Sequence, residues 1–358
     1  MPDSVDVSSA ADYPAHRELY TFRFHGTGRE YFPIWIVNVL LSIVTLGVYS
    51  AWAKVRTQRY FHEATELDGS RFGYHGAPLA ILIGRAIALC LLVPYVILNH
   101  QQSLYAFIPL GVFLLLMPWM AVRALRFRLR VTSYRGVRFG FSHAPDALKG
   151  AYICYLGLPF LSVFTGGLLY PYVLHQQHRW RIDNCHYGDT PLRMVPATRQ
   201  FYKIALLLLA IFIPLSLLAV LTILVLVNIL GPQLAPLASL PFTYGAGVIL
   251  VALGGALMHK TAYANTTLGS GADAVHVDVA WERAELLGLY LTNVLLLGCT
   301  VGLAYPWVRC RTARYMLERI TLRAPNGLNH FTDSTGKTPD AVGDQVSSLF
   351  DIDVGIGF

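Results

Sequence analysis

Four times in this chain an aromatic residue closing an apolar run is followed by cations and a second aromatic at fixed distances. Trp52 leads to Arg56, Arg59 and Tyr60, and Trp119 leads to Arg123, Arg126 and Phe127. Tyr172 leads to Gln176, Arg179 and Trp180, and Trp307 leads to Arg311, Arg314 and Tyr315. Offsets of four, seven and eight residues share one face of a helix. An aromatic at the membrane boundary with arginines one and two turns further on describes a helix leaving a bilayer. Gln176 degrades the pattern in the third copy. A repeat of this register dictates architecture and carries no reaction chemistry of its own.

Composition supports a bilayer setting. Only 14% of residues are charged and 54% are hydrophobic, against about 25% charged in an ordinary soluble domain. The net charge of +7 lies mostly at the ends of apolar segments, which fits a membrane surface and argues against a nucleic-acid partner. Cys90, Cys154 and Cys299 lie in apolar runs, and Cys185 and Cys310 in basic segments, so no disulfide framework is expected. Residues 1–20 are polar and lack a basic stretch followed by an apolar core. They are expected to be a disordered lead without a cleavable signal. Residues 21–325 read as the membrane domain and 326–358 as a cytoplasmic tail, in which Val342, Val346, Leu349 and Phe350 have short-helix spacing.

Short strands punctuate the apolar runs. Residues 22–26 alternate, and Asp68-Gly69 sits between alternating residues, a good hairpin signal. Segment 65–74 matches 132–141 without a gap: Thr65 with Thr132, Gly69 with Gly136, Phe72 with Phe139. A weaker hairpin is expected over 265–279. Runs 78–98 and 204–230 are long enough to span, with returns at 105–122 and 244–258.

Three other runs, 31–52, 151–174 and 286–307, share an internal feature. Thr45-Leu46-Gly47, Thr165-Gly166-Gly167 and Thr300-Val301-Gly302 precede the exit at one distance, and Asn38 and Asn293 each lie nine residues before the glycine. A threonine bonded back to its helix with a packing glycine would explain this. A break at the tip of a re-entrant hairpin would explain it too, and charge favours the break. Of 28 Lys and Arg, 26 lie outside the apolar runs. With seven crossings ten of them would face outward, whereas with three re-entrant runs all 26 are cytoplasmic. The expected class is therefore an all-α polytopic membrane protein with internal repeats: two full transmembrane helical hairpins, three re-entrant helical hairpins and short cytoplasmic β-hairpins. Both termini would be cytoplasmic.

The residues Glu30-Tyr31-Phe32, Trp35, Asn38, Thr45-Leu46-Gly47, Tyr49, Trp52, Arg56, Arg59-Tyr60, Leu67-Asp68-Gly69 and Phe72, with Tyr305-Pro306-Trp307 and the 353–358 terminus, resemble the YjgN family of bacterial inner-membrane proteins. The resemblance implies a location in that membrane. It implies no catalytic residues and no cofactor.

Two groups of residues are candidates for a site. Arg56, Arg59, Arg123, Arg126, Arg179, Arg311 and Arg314 could form a belt for anionic lipid headgroups, because the guanidinium fork suits phosphate. Asn38, Thr45, Gly47, Thr165, Gly167, Asn293, Thr300 and Gly302 could line an intramembrane polar site. Arg85 and Lys149, at run edges, are expected to snorkel, with a substrate path as the alternative. His175, His178, Cys185 and His186 are the one cluster with metal-ligand residue types, and a surface histidine pair is the commoner meaning. No nucleophile–base motif or phosphate loop is present. Binding or movement of a lipid or amphipathic solute fits best. A scaffold recruiting a protein partner on the cytoplasmic face, or an intramembrane enzyme, are the alternatives.

Overall fold

Asp68 and Gly69 both have positive φ (46° and 69°), as do Arg135 and Gly136 (49° and 79°). That pair of conformations makes the tight turn whose twist matches two antiparallel strands. The computed structural model describes residues 18–328, apart from 102 and 326. In it these turns join β2 (Thr65–Leu67) to β3 (Ser70–Tyr74) and β4 (Thr132–Tyr134) to β5 (Val137–Phe141). Two further hairpins join β6 (Cys185–Tyr187) to β7 (Thr190–Met194) and β8 (Thr266–Leu268) to β9 (Val275–Val279). With β1 (Glu18–Phe24) and β10 (Ile320–Ala324), which pair with each other, the ten strands close into an antiparallel barrel.

The barrel overturns the all-α expectation. Its strands are three to seven residues long, too short for alternation to stand out beside helices of up to 33 residues. Closure also joins β1 to β10, a pairing that no local pattern announces. The barrel leaves no open sheet edge. Aromatic rings line its inside: Phe72–Tyr134 and Phe139–Tyr187 lie 4.9 Å apart. The Tyr134 hydroxyl donates to Leu67 O and the Tyr187 hydroxyl to Tyr134 O, both at 2.9 Å, stitching neighbouring hairpins together.

All five connections on the side opposite the hairpin turns are pairs of helices. They are α1 (Gly28–Val44) with α2 (Ser50–Glu63), α3 (Pro78–His100) with α4 (Phe107–Arg130), and α8 (Thr198–Leu230) with α9 (Ala235–Ala264). The last pair is α10 (Arg283–Cys299) with α11 (Tyr305–Glu318). In the third pair the first arm is α5 (Pro145–Tyr152), a π turn at Ile153–Gly157 and α6 (Leu158–Phe164), and the second is α7 (Tyr170–Asp183). Each pair is flanked by two strands that bond to each other. The molecule is thus five β–helix–helix–β units in a ring.

Among the described residues five helical segments are long and apolar enough to cross a membrane: 78–100, 104–130, 145–164, 198–230 and 238–264. The run read as 151–174 thus divides differently, because its first arm begins at Pro145. Most of the expected lead and tail, including 342–350, lies outside the described residues. β1 already begins at Glu18.

Candidate functional site

The exit signature has a structural purpose in the folded ring. The aromatic at offset eight ties the second helix to the start of its own unit. Thr27 N donates to the Tyr60 hydroxyl at 2.9 Å, Trp180 Nε1 to Ala147 O at 3.0 Å, and Glu282 N to the Tyr315 hydroxyl at 3.2 Å. In two of the four copies the cation at offset seven reaches the next unit. Arg126 donates to Ser142 O through Nη2 at 3.0 Å and Nε at 3.3 Å, and Arg314 Nη2 to Gly26 O at 3.0 Å. Lys260 does the same to Trp281 O. It occupies the corresponding place, six residues before the following strand, in a unit that lacks the rest of the signature.

The other arginines of the expected belt are placed variously. Arg123 stacks over Trp119 at 4.6 Å, Arg179 pairs with Asp183, Arg311 donates to Thr292 Oγ1, and Arg56 and Arg59 are exposed.

The three tips are chain reversals of one design. Thr45 Oγ1 donates to Leu41 O at 2.7 Å and accepts from Tyr49 N at 2.9 Å. Thr300 Oγ1 donates to Leu296 O at 2.7 Å and accepts from Ala304 N at 3.1 Å. Thr165 Oγ1 donates to Ser162 O and accepts from Leu169 N. One hydroxyl thereby closes one helix and opens the next. Gly47, Gly167 and Gly302 follow at φ of 85–90°. Asn38 and Asn293 are buried, and each bridges the two helices of its own pair, through Ala53 O at 3.3 Å and Thr312 Oγ1 at 3.0 Å. The tips and asparagines therefore belong to separate units, and no described contact gathers them into one site.

The histidine–cysteine group is also dispersed. His175 accepts from Ala197 N at 3.0 Å, Cys185 donates to Arg181 O, and His186 lies in β6 against Gly140 of β5. No group of three or more His, Cys, Asp or Glu able to hold a metal occurs among the described residues.

A different site emerges where the barrel meets the helices. A cavity of about 530 Å³ occupies the barrel interior, within the range usual for small-molecule sites. Its walls are Phe22, Phe72, Phe139, Leu268, Val277 and Leu322, and its helix end carries Arg128, Arg181, His62 and His259. Both guanidiniums lie within electrostatic reach of His259 and Tyr263, so they converge on one end of the chamber. No carboxylate is among the described residues lining it. His259 is buried, its Nδ1 lacks a hydrogen-bond partner, and its ring meets that of His178 at 4.7 Å. His62 Nδ1 donates to Gln58 O at 2.8 Å. Burial first, then the Arg128 charge, pulls the His62 pKa below its ordinary value. Burial likewise pushes the Cys185 thiol and the Tyr187 phenol to about 12.

Sequence reasoning passed over these residues because they sit one place beyond the signature. Arg128 and Arg181 fall at offset nine, where the other two copies have Phe61 and Met316. That polarity reversal at a buried-facing offset was the available signal.

Residues 19–349 match a family described as bacterial protein of unknown function, DUF898. Three curated relatives carry the name inner membrane protein YjgN. The chain is 35% identical over 172 residues to the one of Escherichia coli O157:H7 and 34% identical over 172 residues to that of strain K12. It is 30% identical over 167 residues to that of Salmonella typhimurium. The matches take in 43–46% of this chain and 40–42% of the relatives. No solved structure matches.

Proposed function

We propose, from the premise that the chain belongs to DUF898, a bacterial family of unknown function, that this membrane protein binds an amphipathic anion in its barrel. The apolar part of the ligand lies among Phe22, Phe72 and Phe139, and the charged head sits at Arg128 and Arg181. The observation that carries this reading is an apolar chamber ending in two convergent guanidiniums with no lining carboxylate among the described residues. Two cations facing one apolar chamber raise the local concentration of anions, and guanidinium offers a carboxylate or phosphate two parallel hydrogen bonds.

The setting we infer is the bacterial inner membrane, with barrel and termini in the cytoplasm. The names of the relatives support the membrane, and the positive-inside rule supports the side. On this reading the pairs α3–α4 and α8–α9 cross the bilayer, while the other three dip in and return, the 20-residue arm 145–164 included, because in each the second arm is too short to cross. Helices of 14 residues, the length of α2, α7 and α11, reach about 21 Å, short of a hydrocarbon core of about 30 Å. Arg56 and Arg59 would then meet anionic headgroups at the inner leaflet.

The test is equilibrium binding of oleate and of oleyl alcohol to the purified full chain. Oleate should bind, and Arg128→Gln with Arg181→Gln should weaken it by about tenfold or more, equivalent to about 1.4 kcal/mol. The alcohol should be weaker and unaffected. Equal binding of acid and alcohol, or a double variant indistinguishable from the parent, would overturn the proposal.

A further inference from the structure

The four hairpins send buried side chains into the turn end of the barrel from positions beside their turns. Leu67, Tyr134 and Tyr187 close β2, β4 and β6, and Val275 opens β9. β10 contributes less bulk. Leu322 lines the chamber, and alternation points Ala324, the last residue of the strand, the same way. Ala324 is fully buried, and a methyl group there leaves room in the bore.

The chain beyond β10 takes up that room. Pro325 ends the strand, because proline has no N–H for the ladder. Gly327 N donates to Ala324 O at 3.4 Å, and Gly327 has a φ of 73°, a left-handed conformation open to glycine at no steric cost. The chain is thereby turned back, and Leu328, 7% exposed, joins Leu67, Tyr134, Tyr187, Val275 and Ala324 in one buried cluster. Leu328 also lines the chamber. Every other described lining residue belongs to a strand or a helix.

The two ends of the chamber therefore differ in kind. Arg128 and Arg181 stand at the helix end. The turn end is apolar, since the Tyr134 and Tyr187 hydroxyls there are committed to backbone carbonyls. A ligand oriented by the guanidiniums points its apolar chain at Leu328. We propose that Leu328 is the stopper of the chamber and sets the longest apolar chain the chamber accepts. The length assignment rests on the anion reading above, whereas the stopper itself does not.

Two measurements on the purified full chain test this. In the first, a cysteine replacing Val277 on the chamber wall is labelled by a small water-soluble maleimide with no ligand present, and the rate is read at that residue by peptide mass spectrometry. Leu328→Ala should speed labelling by about tenfold or more, because a large-to-small change leaves a cavity where the bore was filled. Leu328→Met, which keeps the volume, should not. An unchanged rate in Leu328→Ala would overturn the stopper. In the second, equilibrium binding is measured for a series of saturated fatty acids lengthened in steps of two methylenes. Parent affinity should climb with length and fall at a limit. Leu328→Ala should raise affinity for the first acid beyond that limit by about fifteenfold, at about fourfold per methylene buried. Leu328→Phe should move the limit to a shorter acid. A limit shared by all three chains would overturn the length assignment. A parent that binds none of these acids would overturn the anion reading and the length assignment with it, while the labelling still decides the stopper.

Discussion

Replacing Arg126 by Gln tests whether the cation at offset seven holds adjacent units together. Arg126 is half-buried and donates twice to Ser142 O, at 3.0 and 3.3 Å, across the boundary between the second and third units. A hydrogen bond from a charged group contributes about 1.5–3 kcal/mol. Partial exposure of Arg126 puts the expected loss near the lower end, about 1.5 kcal/mol. Lysine can offer one contact to the same carbonyl, as Lys260 does to Trp281 O in another unit, so Arg126→Lys should lose only about half as much. Thermal unfolding of the purified chain followed by tryptophan fluorescence would show Gln lowest, Lys intermediate and parent highest, over a few degrees. Retained lipid, weighed by native mass spectrometry, should be the same in all three. If stability is unchanged while anionic lipid is lost, Arg126 serves the bilayer and the inter-unit bond is incidental.

Thr300→Val removes two bonds that close α10 and open α11. It should cost about 1–2 kcal/mol and speed amide exchange at 296–304; unaltered exchange would contradict the capping role. His62, held neutral by burial, keeps its stabilising effect above its unfolded value of about 6.5. That stability falls as the pH drops below 6.5, because the unfolded chain takes up the proton first. His62→Phe should therefore flatten the decline in melting temperature between pH 7 and pH 5, and an unchanged slope would remove His62 from the account. A cysteine placed at Asp189, in the exposed β6–β7 turn, should be shielded from an impermeant thiol reagent in intact cells, while one at Gln233, between α8 and α9, should label. Labelling at 189 would place the barrel outside.

The apolar runs, the exit signature, the threonine–glycine tips and three of the four hairpins, the one over 265–279 more weakly, were legible along the chain because each depends on residues within about a dozen positions. Asp68-Gly69 dictates its turn whatever surrounds it, and Thr45 finds both partners within four residues. The barrel was not legible, because a three-residue strand such as β4 gains its stability from neighbours on both sides and from the closing pair β1–β10, some 300 residues apart. The chamber shares that origin. Arg128 and Arg181 read as two more cations at helix exits until the ring turns both toward one end of the barrel, beside His259. Nor does local pattern reveal that Asn38, near one end of the chain, and Arg309, near the other, line one cleft. Only closure of β10 on β1 brings α1 against α11.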